Sequence, residues 1–166
     1  MRVQRRRRPE RLVMIILLVV LAVIVAIYGT LWVAQRPMHT AQKTAYSVAV
    51  NKGKLKTTTA FSQYNGTQSY YVVTGTNQKN VPVYAVINTK KSHQTTVVKQ
   101  SAGLTRTQAL RKVWSKRNPS KVIKATIGKY NGQVVWEVTY LNAKKALCYE
   151  VLQYSNGNQL KSIINI

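Results

Sequence analysis

An unbroken uncharged run from Leu12 to Ala34 follows directly on a cluster of arginines, Arg2, Arg5, Arg6, Arg7, Arg8 and Arg11. Its twenty-three residues at about 1.5 Å rise make a helix of roughly 35 Å, enough to cross a ~30 Å hydrocarbon core with some tilt. Lipid offers the backbone no hydrogen-bond partner, so a single run of this kind is predicted to span as a helix. The next fifteen residues hold only Arg36 and Lys43. By the positive-inside rule the arginine cluster is therefore the topology signal. It places residues 1–11 in the cytoplasm, 12–34 in the cell membrane and the rest outside. Tyr28 and Trp32 fall toward the outer end, where aromatic rings favour the headgroup region. A cleaved secretory signal is the rival reading. Its apolar core would be about 7–15 residues with small residues before the cut, whereas a cut after Ala34 puts Trp32 near that position. Ala22, Ala26 and Thr30 also repeat at the small-xxx-small spacing that lets helices approach closely.

Charge narrows the partners. The chain has 26 Lys and Arg against 3 acidic residues, a net +23. Beyond the span, twenty cations face only Glu137 and Glu150. Outside a cell, anionic wall polymer, acidic headgroups or an acidic protein suit such a surface better than nucleic acid. The lysines are dispersed along the chain, so a basic surface kept for solubility is the plainer alternative.

Chemistry is scarce. Cys148 is the sole cysteine, which excludes an intramolecular disulfide, and in Ala146-Leu147-Cys148-Tyr149 it reads as a small buried hydrophobe. His39 and His93 belong to no metal or nucleophile motif, and no Gly-rich phosphate loop is present. Glu137 and Glu150 are the one conceivable acid/base pair. Their simpler reading is two solvent-facing strand residues, each beside a lysine. The expectation is a binding module with no cofactor and no enzymatic activity.

Beyond the span the hydrophobic period organises the chain. Pro37 suits a first helical turn, and Met38, Ala41, Ala45 and Val48 share a helical face until Asn51-Lys52-Gly53. The period then becomes two, predicting strands over 55–64, 70–74, 81–88 and 95–99. The order restarts after Ser101-Ala102-Gly103. Thr105-Arg106-Thr107-Gln108 fits a capping box. Ala109, Leu110, Val113 and Trp114 form an apolar face, and Asn118-Pro119 stops the helix. Strands follow at 122–130, 134–141, 146–154 and 159–164.

This order is an internal repeat of about 65 residues. Tyr64-Asn65-Gly66 recurs as Tyr130-Asn131-Gly132, and six residues beyond each Tyr, Tyr70 answers Trp136. Tyr84-x-Val86 answers Tyr149-x-Val151, and Thr40 answers Thr105. The predicted fold class is α+β, with a single N-terminal transmembrane helix and two tandem helix-plus-antiparallel-sheet units, 37–100 and 104–166. Tyr70, Trp114, Trp136, Val138 and Tyr149 are expected in its core. A ~60-residue unit buries little surface alone, so the two are expected in contact rather than as separate beads.

Leu104-Thr105 with Ala109, Tyr130-Asn131-Gly132, Trp136-Glu137-Val138, Tyr149 with Val151, and Ser155-Asn156-Gly157 carry a resemblance. The chain resembles the TseB-like (YpmB-like) proteins of Gram-positive bacteria, whose units belong to the PepSY-like, broadly cystatin-like class. Gln153-Tyr154 departs from that pattern, which often has an acidic residue before the last turn. The resemblance implies a regulator of cell-wall elongation that contacts a membrane-bound penicillin-binding transpeptidase. PepSY-like units are also linked to restraining peptidases, which makes a peptidase inhibitor an alternative. An electrostatic tether to anionic wall polymer is another.

Overall fold

A computed structural model describes residues 9–90 and 92–164. Arg2, Arg5, Arg6, Arg7 and Arg8 of the topology signal lie outside the described residues, while Arg11 is in the first helix and exposed. The chain divides into two compact units, Met1–Thr40 and Ala41–Ile166.

The first unit is helical. α1 runs unbroken from Pro9 to Asn51. Its segment Arg11–Thr30 has a mean hydropathy of 3.2, long and apolar enough to cross a membrane. The expected fresh start at Pro37 is not seen, because Pro37 lies inside α1. Neither a Gly or Asn stop nor a capping residue stands between Ala34 and Pro37. One missing N–H does not by itself end a helix made of good formers on both sides. Thr40 is therefore mid-helix and is no counterpart of Thr105.

The second unit takes the last turns of α1 and adds two four-stranded antiparallel sheets. The first sheet is β1 (Leu55–Asn65), β2 (Ser69–Asn77), β3 (Pro82–Asn88) and β4 (Thr95–Lys99), paired in sequence order. A short 3-10 turn, Gln100–Ala102, leads to α2 (Arg106–Arg117). The second sheet is β5 (Lys121–Tyr130), β6 (Gln133–Leu141), β7 (Leu147–Gln153) and β8 (Gln159–Ile163), again in sequence order. This is the α+β architecture read from the sequence.

Local chemistry accounts for the boundaries. Thr105 caps α2 with a full capping box, its hydroxyl accepting from the Gln108 N–H while Gln108 accepts from the Thr105 N–H. Asn118 ends the helix in the left-handed region at φ 42°, donating its N–H to Trp114 O. Asn131 and Gly132, both at positive φ, form the two-residue turn between β5 and β6.

Two apolar layers hold the sheets. Ala45 and Ala49 of α1 pack with Leu55, Val73, Val83, Ala85 and Ile87 on one face of the first sheet. The other face contributes Tyr64, Tyr70, Val72 and Val86 to a second cluster with Ala109 and Val113 of α2 and Trp136, Val138 and Leu152 of the second sheet. Strand β5, the edge of the second sheet, touches β1, β2 and β3. Tyr84 sits edge-on to both Trp136 and Tyr154, with centroids 6.2 and 6.3 Å apart. Tyr154 donates its hydroxyl to the Lys99 carbonyl at 2.8 Å. Burial, with Tyr84 alongside, pushes the Tyr154 hydroxyl up to about 12.

Register corrects part of the repeat. Tyr71 pairs with Ile87 as Trp136 pairs with Leu152, so Tyr71 is the counterpart of Trp136. The two strand sequences align one residue away from the six-residue count. A one-residue slip turns a side chain to the opposite face. Tyr70 accordingly points away from α1, whereas Trp136 points toward α2. By the same register Tyr64, opposite Tyr70, corresponds to Gly128, opposite Val135. The Tyr84 and Tyr149 correspondence keeps its face: each points away from its own helix.

Candidate functional site

Sequence-expected core positions separate into three groups. Tyr70, Trp136 and Val138 are buried. Trp114 is 46% exposed, contrary to its expected core role. Ala109 and Val113 face the sheet with the Arg117 stem one turn on, and Trp114 falls on the flank of that stripe. Tyr149 is only half-buried, because it lies on the face of the second sheet that α2 does not cover.

The two carboxylates also separate. Glu150, opposite Val138, is 1% exposed and lies under α2. Arg117 reaches it from α2 with Nε at 3.0 Å, and the Ser162 hydroxyl donates to it at 2.9 Å. It is therefore not a solvent-facing residue beside a lysine. A buried carboxylate persists only when paired and hydrogen-bonded, and here it is both. Glu137 pairs with Val151 and projects from the other face. A sheet stands between the two groups, so they cannot serve one reacting atom as acid and base. Cys148 is fully buried. Among the described residues no group of three His, Cys, Asp or Glu could hold a metal ion.

The Tyr-Asn-Gly turns converge instead. Loop 65–68 of the first sheet separates two depressions. One, of ≈ 390 Å³, lies between Thr67, Gln68 and Tyr70 on one side and Lys129, Asn131 and Gly132 on the other. The second, of ≈ 370 Å³, is bounded by Tyr64, Tyr130, Glu137, Tyr149 and Lys161. The Tyr64 ring builds the wall between the sheets. A Cβ on Gly128 would stand 2.2 Å from Tyr64 Cγ, and one on Gly66 would stand 2.5 Å from its hydroxyl oxygen. Two bare glycines are thus what lets the ring lie where it does.

Electrostatics in the second depression are set by burial. The Tyr64 hydroxyl and the Glu137 carboxyl are close enough to influence each other electrostatically. Desolvation raises the Glu137 carboxyl above the ordinary range, opposed by the Tyr64 hydroxyl and by Lys124 and Lys161. Burial, followed by the Glu137 charge, raises Tyr64 well above a free tyrosine. Lys161 Nζ lies 5.6 Å from the centre of the Tyr130 ring. Tyrosines, one carboxylate and one ammonium make a recognition surface with a hydrogen-bonding rim. The repeat of Tyr-Asn-Gly pointed to these turns, but sequence alone offered no sign that Glu137 and Tyr149 share their depression.

No curated protein matches the chain. The model of the family described as "Cell wall elongation regulator TseB-like domain" matches residues 44–88. That segment covers the end of α1 through β3, including Tyr64 and the loop 65–68, whereas most residues behind the sequence resemblance lie in the second sheet. Among solved structures, the YpmB protein from Bacillus subtilis is similar at TM-score 0.66 and 22% identity, over 73% of this chain and 95% of that one. Residues 44–88 are therefore similar to a TseB-like domain, and the fold is similar to that of the YpmB protein.

Proposed function

We propose that the protein is a membrane-anchored, non-enzymatic regulator of cell-wall elongation that acts by docking on a penicillin-binding transpeptidase. The observation that carries this reading is that the TseB-like match includes Tyr64 and loop 65–68, the segment that builds both depressions. The opposed faces of Glu137 and Glu150 support a role without catalysis. The apolar segment of α1 supports anchoring, and the arginine tail supports a cytoplasmic N-terminus with residues 41–166 outside. Confinement with a co-anchored enzyme raises the effective concentration of each for the other, so modest contacts suffice.

The test is a photo-crosslinking residue at Thr67 in living cells, compared with one at Lys144 on the β6–β7 turn. The expected result is a crosslink to a wall-synthesis transpeptidase from Thr67 and not from Lys144. Equal labelling from both positions, or recovery of no wall enzyme, overturns the docking surface. A reporter fused behind Ile166 reads exterior if the orientation is right and interior if it is not.

A further inference from the structure

One flank of α2 forms a trough with the turn that precedes β8. Gln108, Lys112 and Lys116 follow one another at i, i+4 and i+8 along that flank. A depression of ≈ 410 Å³ joins Gln108 and Lys112 to Ser155, and one of ≈ 340 Å³ joins Lys112 and Lys116 to Asn158 and Gln159. Lys112 is common to both. Its stem is seated on Gly157, where φ is +74° and a Cβ would stand 2.6 Å from Lys112 Cε. The Ser155-Asn156-Gly157 turn thus positions a cation as well as reversing the chain.

The charge here is unbalanced. α2 carries Arg106, Arg111, Lys112, Lys116 and Arg117 and no carboxylate. Glu150 lines the inner side of the trough and is ion-paired with Arg117. Lys116 donates to Gln159, a neutral amide. Like charges one turn apart destabilise a helix, as does a cation at its first position, where Arg106 stands. An anionic ligand in the trough relieves the first of these costs, between Lys112 and Lys116.

We propose that this trough binds an extended polyanionic wall polymer of the phosphodiester type, a partner distinct from the transpeptidase proposed above. Charge complementarity favours an anion, and Lys112 and Lys116 stand about 6 Å apart along the helix axis, suiting charges that repeat along a chain. A membrane surface suits it less. A helix that lies in the bilayer interface presents a broad apolar face, whereas the exposed side of α2 offers Trp114 alone among large hydrophobic side chains.

The experiment titrates the full-length protein, in nanodiscs of neutral phosphatidylcholine, with poly(glycerol phosphate) at several salt concentrations. Lys112→Gln with Lys116→Gln should weaken binding about tenfold at low salt and flatten the slope of log affinity against log salt by about 1.4. Lys112→Arg with Lys116→Arg should keep both. Lys144→Gln with Lys145→Gln removes the same charge from another turn and should change affinity less than about twofold. Trp114→Ala, on the opposite flank, should change nothing. Equal losses from the two Lys→Gln pairs would mean diffuse attraction to a basic surface and overturn the site. Binding of phosphatidylglycerol vesicles that exceeds polymer binding and depends on Lys112 and Lys116 would overturn the polymer in favour of lipid. Because the readout is polymer affinity, a failed transpeptidase crosslink leaves this result standing, and the reverse holds too.

Discussion

The Trp136 indole N–H donates to the Leu104 carbonyl at 2.8 Å, tying the centre of the second sheet to the segment that enters α2. The same ring is 4% exposed and meets Tyr84 of the first sheet edge-on. Trp136→Ala removes a large buried ring and orphans that carbonyl, so it should cost about 3–5 kcal/mol. Trp114→Ala should stay within about 0.5 kcal/mol. Thermal melts of the detergent-solubilised chain compare them; equal losses would reverse the assignment of faces on α2.

Tyr64 and Gly128 set a second expectation. The space a side chain at 128 would occupy is already filled by the Tyr64 ring. Gly128→Ala must displace that ring, with an overpacking cost of about 1–3 kcal/mol. A loss of stability in Gly128→Ala that disappears when Tyr64→Ala is also present identifies the clash. Additive losses would place the strain elsewhere.

Arg117 and Glu150 behave as a unit. Removing Arg117 alone leaves a carboxylate at 1% exposure without its ion-pair partner, and Arg117→Met should cost about 3–5 kcal/mol. Arg117→Met with Glu150→Leu removes both charges and should recover most of that loss. Denaturant titration of the single and double variants decides it, and a double variant as unstable as the single one argues against the ion pair as the cause.

Glu137 should make stability depend on pH. Burial raises its carboxyl above the ordinary value of 4.5, so the folded state holds this proton more tightly than the unfolded chain. Its contribution is full below the ordinary value and is lost as pH rises through the raised one. Glu137→Gln should flatten that decline and be at least as stable as wild type at neutral pH. A wild type that gains on Glu137→Gln as pH rises contradicts the shift.

The sequence disclosed elements more readily than faces. Strand periods, the Thr105 capping box and the Asn131-Gly132 turn are local signals, and the elements appear where those signals put them. Pro37 misled because proline marks helix starts and interior kinks alike, and only the absence of a cap beside it distinguished the two. Tyr70 misled because counting along a repeat ignores register, which is set by strand pairing. Glu150 read as a surface residue because its partner, Arg117, is thirty-three positions away. The joint surface of the two Tyr-Asn-Gly turns depends on β5 lying against the first sheet, a contact that no local pattern encodes.

Tyr64 and Gly128 occupy matching register positions in the two sheets, yet they touch each other. Positions that would be identical in an exact duplication have become complementary. Two copies of the first half, arranged in this way, would press tyrosine against tyrosine. Two copies of the second would face glycine with glycine and leave the junction hollow. The halves of the repeat are consequently no longer interchangeable: a chimera that exchanges their strands must carry this knob and its socket together.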